Sequence, residues 1–293
     1  MNAARRSYAV TAALTALGFA LRFGWGVGVR VAPAWDGELY ERGARAIATG
    51  LGYSCFMFGP RADPRVPTAY YPVGYPAILG AFYAVLGVAP WVMALVGSLV
   101  GALTVALVHR LALRVSSPRA AFIAALFFAC MPGQVIFAST PMTETAWGFF
   151  LTLAVYLLGR GDTPTRGSLV GAALALAVAT YVRPQALLLA PLLPLIPRGT
   201  LRERARRAFV VTAIVIATVI PWTVRNCRSL DGCAMVSTNG GGNLAIGAIP
   251  RSTGTFRFLT AEDGCRGVVG EIARDRCWRA VATGHIRARP GRW

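Results

Sequence analysis

The apolar positions of this chain fall into long blocks separated by short arginine-bearing breaks. A bilayer-spanning helix needs about 20 mostly apolar residues. Residues 8–29 meet that length directly after Arg5 and Arg6, and lack the clean small-residue site of a cleaved signal. Further blocks run over 91–111, 120–138, 145–158, 169–182, 186–196 and 209–222. Pro132 interrupts the third of the seven, which a packed membrane helix tolerates as a kink. The 186–196 block is short and broken by prolines. Residues 76–86 are apolar but too short to cross, and read as a helix lying at the interface or re-entering. Before them, within the polar stretch 30–75, Asp36, Leu39, Tyr40, Gly43, Ala44 and Ile47 follow helical spacing. That spacing predicts an amphipathic surface helix starting near Asp36.

Charge decides how these blocks are threaded. The 293 residues carry 30 basic side chains, all arginine, and 12 acids, giving a net charge of +18. Charged residues make up 14%, against about 25% in soluble domains, and mean hydropathy is +0.53. An ordinary cytosolic enzyme and a disordered chain are both excluded. So strong a basic balance on a soluble face would point to nucleic acid, but these arginines punctuate membrane blocks, so the bilayer is the partner and nucleic acid is not. The chain reads as an all-α polytopic membrane protein. With 76–86 left uncrossed, seven spans put the arginine clusters at 5–6, 110–119, 160–166 and 198–207 on the cytoplasmic side. Counting 76–86 as a span moves the last three outside. The expected layout is a cell-membrane protein with a cytoplasmic N-terminus and a transmembrane module over 1–222. Loop 30–90, the turns at 140–143 and 183–184, and a C-terminal segment over 223–293 then lie outside.

That segment holds eleven of the arginines and four of the six cysteines. Long segments translocate largely regardless of charge. Cys227, Cys233, Cys265 and Cys277 in an exported stretch suggest two disulfides, with Cys227–Cys233 and Cys265–Cys277 as one of three connectivities. Four free thiols in a cytoplasmic tail is the competing reading. Cys130 reads as a small core residue of a span, and 237–243, rich in Gly, Ser, Thr and Asn, reads as loop. No dinucleotide or phosphate-loop glycine motif occurs, and two histidines, His109 and His285, cannot build a His-rich metal site.

Five acids are expected outside at or near the membrane: Asp36, Glu38, Glu41, Asp63 and Glu144. Asp162 and Glu203 are expected inside, and the other five acids belong to the C-terminal segment. Asp36 and Glu144 each begin a helical pattern, so each is either a helix-start carboxylate or a catalytic group. Both reach one membrane face together with Arg183 and Arg225. Two carboxylates with two arginines suit a membrane-embedded phosphate ester, because guanidinium pairs bidentately with phosphate. Arg22 reads as snorkelling from the first span or joining this set. Tyr70, Tyr71 and Tyr75 around Pro72 and Pro76 form either an interfacial aromatic belt or a cleft wall.

These residues resemble the GT-C glycosyltransferases that use polyprenyl-phosphate-linked sugars, in particular the protein O-mannosyltransferase and aminoarabinose-transferase branch. The matching pieces are Asp36-Gly37-Glu38-Leu39-Tyr40 with Gly50-Leu51-Gly52-Tyr53, Tyr71-Pro72-Val73-Gly74-Tyr75-Pro76, Thr143-Glu144 and Val182-Arg183-Pro184, then Pro221-Trp222-Thr223-Val224-Arg225-Asn226 and Ser237 to Leu244. The resemblance implies inverting transfer of a sugar from a polyprenyl-phosphate donor to an extracytoplasmic glycan, lipid or protein acceptor. It implies Asp36 as the base, and Glu144 assisting or holding a divalent cation. Glu38, Tyr40, Tyr71, Arg183 and Arg225 are then expected to contact substrate, with no other cofactor. Family members continue through further spans, and 285–293 reads as the approach to another, so the chain is expected to be a fragment or an early stop. A transporter or lipid-linked-sugar flippase, which would show internal repeats, and a truncated inactive relative are the alternatives.

Overall fold

In the computed structural model, residues 3–29, 32–54, 65–159, 161 and 163–292 are described. Arg30, Asp63, Arg160 and Asp162 lie outside them. The described residues form helices α1 (Ala3–Val29), α2 (Asp36–Ala48), α3 (Gly74–Leu86), α4 (Pro90–Val115), α5 (Pro118–Cys130), α6 (Pro132–Ala138) and α7 (Thr143–Leu158). Then come α8 (Arg166–Val182), α9 (Leu201–Ser229), α10 (Gly240–Ala248) and α11 (Glu271–Ala288). The protein is an all-α polytopic membrane protein.

Local sequence explains most helix ends. Ser117 accepts from Ala120 N–H at 3.3 Å with Pro118 opening α5, and Thr165 accepts from Ser168 N–H at 3.2 Å. Thr200 and Glu203 form a reciprocal capping box at α9. By length and composition α1, α4 and α9 suffice to cross a membrane, and α5 with α6 forms a fourth candidate bent by 50°. The helices α7, α8, the 184–195 segment and α3 are shorter apolar elements. Residues 184–195 wind as two tight 3-10 turns, because Pro184, Pro191 and Pro194 remove the amide donors an α-helix needs.

The bend at Pro132 explains Arg22. Proline has no N–H, so the carbonyls ending α5 lose their helical partners. Arg22 supplies them, donating Nη1 to Ala129 O at 2.9 Å and Nη2 to Phe128 O at 3.1 Å. The side chain is completely buried, so it does not snorkel. It fills the space left by Gly101, where a Cβ would lie 2.6 Å from its Nε. Cys130, in turn, is exposed on the bundle surface and is not a core residue.

Small residues bring the helices together elsewhere, as membrane bundles require. A Cβ on Gly26 would lie 2.7 Å from Ala94 Cβ, bringing α1 onto α4. A Cβ on Gly97 would lie 1.9 Å from the Ala138 carbonyl oxygen, which no side-chain shift can relieve. We therefore expect Gly97→Ala to destabilise the α4–α6 crossing by about 3 kcal/mol, the upper end of overpacking costs. Thermal unfolding in detergent checks this, with Gly133→Ala, at an open position, as the control.

Helices α2 and α3 pack against each other and onto α4, α7 and α8. Tyr40, Ala44, Tyr75, Leu79, Val96, Ala146 and Val182 share one buried cluster. Gly74 sets the α3–α8 approach, since a Cβ there would stand 2.5 Å from the Tyr181 carbonyl carbon. In the C-terminal segment Cys227 is bonded to Cys233 and Cys265 to Cys277. The 237–243 stretch is loop only as far as Asn239. From Gly240 it is helical, because Gly241 N–H bonds the Asp275 carboxylate of α11 and Gly241 lies flat against that helix. Tertiary contact has overridden a weak local propensity.

Candidate active site

Asp36 is the first residue of α2, and its carboxylate turns away from the helix to accept the Tyr71 hydroxyl at 2.6 Å. Burial, and then the bonded Asp36 carboxylate, push the Tyr71 hydroxyl well above its ordinary range, so it stays a donor. One turn along α2, Tyr40 is buried, its ring 4.9 Å from that of Tyr71 and 5.9 Å from that of Tyr75. Burial first and the Asp36 charge second raise the Tyr40 hydroxyl, against a lowering influence of the Arg183 charge. Tyr40 thus packs in the buried cluster that also holds Ala146 of α7 and Val182 of α8.

The second half comes from α7 and the end of α8. Arg183 follows α8, donates Nε to Thr143 Oγ1 at 2.7 Å and pairs through Nη2 with Glu144 Oε1. Its guanidinium lies 5.9 Å from the Trp147 ring centre. Both partners remain about one-third exposed, at 35% for Arg183 and 37% for Glu144. Glu144 Oε2 is buried and has no protein partner. Two N–H groups of Arg183 are used here, of the five a guanidinium carries. The turn before α7 reaches α2 at Gly37, where a Cβ would stand 3.2 Å from Pro141 Cγ. Asp36, Tyr40, Tyr71, Glu144 and Arg183 are therefore brought to one place.

Glu38 and Arg225 are not part of that cluster. Glu38 pairs with Arg42 on the exposed face of α2. Arg225 spends Nη1 on Thr68 O at 2.8 Å and Nη2 on Tyr53 O at 2.7 Å, and stacks over Trp222 at 4.8 Å. It clamps the two described ends of the first loop, 54 and 65 onward, instead of pointing at the carboxylates. Glu41 is buried and pairs with Arg45.

Sequence reasoning missed Glu271. Its carboxylate accepts from Thr68 Oγ1 at 2.7 Å, Ala69 N–H at 2.8 Å and Thr238 Oγ1 at 2.7 Å. Thr68 Oγ1 accepts in turn from Tyr70 N–H at 3.0 Å, one residue before Tyr71. The only local signal was an acid opening a helix. Asp231 holds the same helix start, accepting from Ile272 and Ala273 N–H at 3.0 and 2.9 Å. Glu271→Ala is expected to cost about 3 kcal/mol at this junction, since charge-assisted hydrogen bonds contribute about 1.5–3 kcal/mol. Faster amide exchange over 65–71 without loss of the α4 and α9 protection would show it.

Among the described residues no three His, Cys, Asp or Glu side chains cluster to hold a metal ion, and Glu144 is paired with Arg183.

Comparison with known proteins gives one result. The model of the dolichyl-phosphate-mannose-protein mannosyltransferase family matches residues 71–224, more than half of the 293. The matched stretch contains Tyr71, Glu144 and Arg183, and stops short of Asp36 on one side and Arg225 on the other. No curated protein and no solved structure matches. The chain belongs to the dolichyl-phosphate-mannose-protein mannosyltransferase family, membrane glycosyltransferases of the GT-C type.

Proposed function

We propose that this chain transfers a hexose, with inversion, from a polyprenyl-phosphate donor to an acceptor hydroxyl, and that Asp36 is the base. The observation that supports it most is the position of the Asp36 carboxylate. It is bonded to Tyr71, not to a helix amide, while Gly37 beside it meets Pro141 in the turn before Glu144, which pairs with Arg183. The acceptor hydroxyl gives its proton to Asp36 as its oxygen attacks the anomeric carbon. The bond from that carbon to the phosphate oxygen breaks on the opposite face. Polyprenyl phosphate leaves with the electron pair, and Arg183 stabilises the charge that develops there. Glu144 fixes the guanidinium through Oε1.

Seven crossings, with α3 uncrossed, would place α2, the 140–143 turn, Arg183 and the C-terminal segment on the face opposite the arginine clusters. That face is extracytoplasmic in a cell membrane by the positive-inside rule. The disulfides Cys227–Cys233 and Cys265–Cys277 support the same side, since such bonds persist in oxidising compartments. Residues 1–222 act as the catalytic module and 223–293 as an external segment that braces the first loop.

The test uses purified protein in proteoliposomes given labelled mannose either as polyprenyl-phosphate-mannose or as a sugar nucleotide. Label is expected to leave the lipid-linked donor alone, with the product anomer inverted. Consumption of the nucleotide donor, or retention of configuration, would overturn the reading.

A further inference from the structure

The residue before Asp36 stands out. Trp35 has φ 54° and ψ −128°, a backbone region that side-chain-bearing residues rarely enter and that costs about 1–3 kcal/mol. Its indole is nevertheless 71% exposed. It stacks on Phe258 with ring centres 5.9 Å apart and planes 28° from parallel. Phe258 meets Phe256 edge-on at 5.2 Å, and both phenylalanines are 66% exposed. Three large rings, drawn from positions more than 200 residues apart, thus form one open surface beside the candidate base.

The surface is built, not a loose loop. Arg257 bonds both Asp263 oxygens at 3.1 and 3.0 Å, and Asp263 also accepts from Thr260 N–H at 2.8 Å and Oγ1 at 2.9 Å. Leu259, next to Phe258, packs against the buried cluster of Ala245, Cys265, Trp278 and Ala282. With Leu259 and Asp263 held inward, Phe256 and Phe258 are left outward. The neighbouring chain is polar: Thr253 and Thr255 share an exposed hydroxyl bond of 2.8 Å.

An aromatic belt at the lipid headgroups would be the ordinary use of such rings. On the C-terminal side of the patch the surroundings offer such a belt little. Among described residues beyond 229 the exposed large apolar side chains are Met235, Phe256, Phe258 and Val269. Membrane-surface attachment needs a broad apolar face, and α10 and α11 turn theirs inward. Rings with hydroxyls beside them match the apolar C–H face and the equatorial hydroxyls of a pyranose.

We propose that Trp35, Phe256 and Phe258 form an acceptor subsite that stacks a pyranose ring of a glycan, presenting its hydroxyl to Asp36. The assignment deepens the glycosyl-transfer reading and rests on it for the role of Asp36, while the binding itself is measurable without turnover. The full chain, in nanodiscs, is titrated with mannotriose while tryptophan fluorescence is followed. A saturable change is expected, absent in Trp35→Phe, with binding about tenfold weaker in the Phe256→Leu/Phe258→Leu double variant. In the same double variant transfer to the trisaccharide should fall about tenfold. Trp35-dependent quenching by brominated lipid in the nanodisc would instead place the rings in the bilayer and overturn the subsite. So would unchanged mannotriose binding in the double variant, or no binding at all. Glycan binding without transfer or donor hydrolysis would leave the subsite standing and count against the transferase reading alone.

Discussion

Replacing Arg183 with alanine is expected to lower sugar transfer by about 10²–10³-fold, the loss seen when a single preorganised charge-stabilising donor is removed. Two effects combine. The leaving phosphate loses the guanidinium that meets its developing charge. Glu144, which pairs with Arg183 through Oε1 and has no partner at Oε2, becomes an uncompensated carboxylate facing an anionic donor. Like charges repel at that spot, so donor affinity should fall along with the rate. Arg183→Lys keeps the charge but loses the planar fork that holds Thr143 and Glu144 at once, and is expected to fall between the two. Removing both partners in Arg183→Ala/Glu144→Gln should recover part of the affinity lost in the single variant, because the stranded charge is gone. Steady-state rates with a polyprenyl-phosphate-sugar donor in proteoliposomes separate these outcomes. Equal activity in Arg183→Ala and the unaltered chain would remove Arg183 from the site.

Periodicity and charge foretold the elements well where the reason is local. The spacing from Asp36 to Ile47 announces α2, which runs Asp36–Ala48, and the short apolar run at 76–86 becomes α3, Gly74–Leu86. Pro132 marks the bend between α5 and α6, and the proline-broken block becomes 3-10 turns. What stayed hidden depends on partners far away in the chain. Arg22 is positioned by carbonyls 106 and 107 residues on, freed by a proline that sequence reading took only as a kink. Glu271 reaches back 203 residues to Thr68. Spacing rules describe one face of one helix, and neither contact lies on one.

The candidate site divides the same way. Asp36, Tyr71, Glu144 and Arg183 were legible as chemistry, since acids and arginines at one membrane face are costly unless used. Their pairing was not. Asp36 and Glu144 each stood open as helix-start carboxylates until Tyr71 and Arg183 were found on them. Arg225 has the same chemistry as Arg183, yet the fold spends it on the loop carbonyls of Tyr53 and Thr68.

Asp36→Asn is expected to have the largest effect of any single replacement. The amide is close in size, and its oxygen still accepts the Tyr71 hydroxyl, so α2 and the aromatic cluster keep their places. What disappears is proton acceptance from the acceptor hydroxyl, and general-base catalysis contributes about 10²–10⁴-fold. Donor binding, which rests on Arg183 and the apolar chain of the lipid, should be unchanged. A structural role for Asp36 would instead lower expression, thermal stability and donor affinity together. The direct measurement is the initial rate of sugar transfer from polyprenyl-phosphate-mannose by Asp36→Asn and unaltered protein, reconstituted at equal amounts, with donor affinity read in parallel. A fall of about 10³-fold at unchanged donor affinity is the predicted result; a rate within about threefold of the unaltered protein would contradict Asp36 as the base.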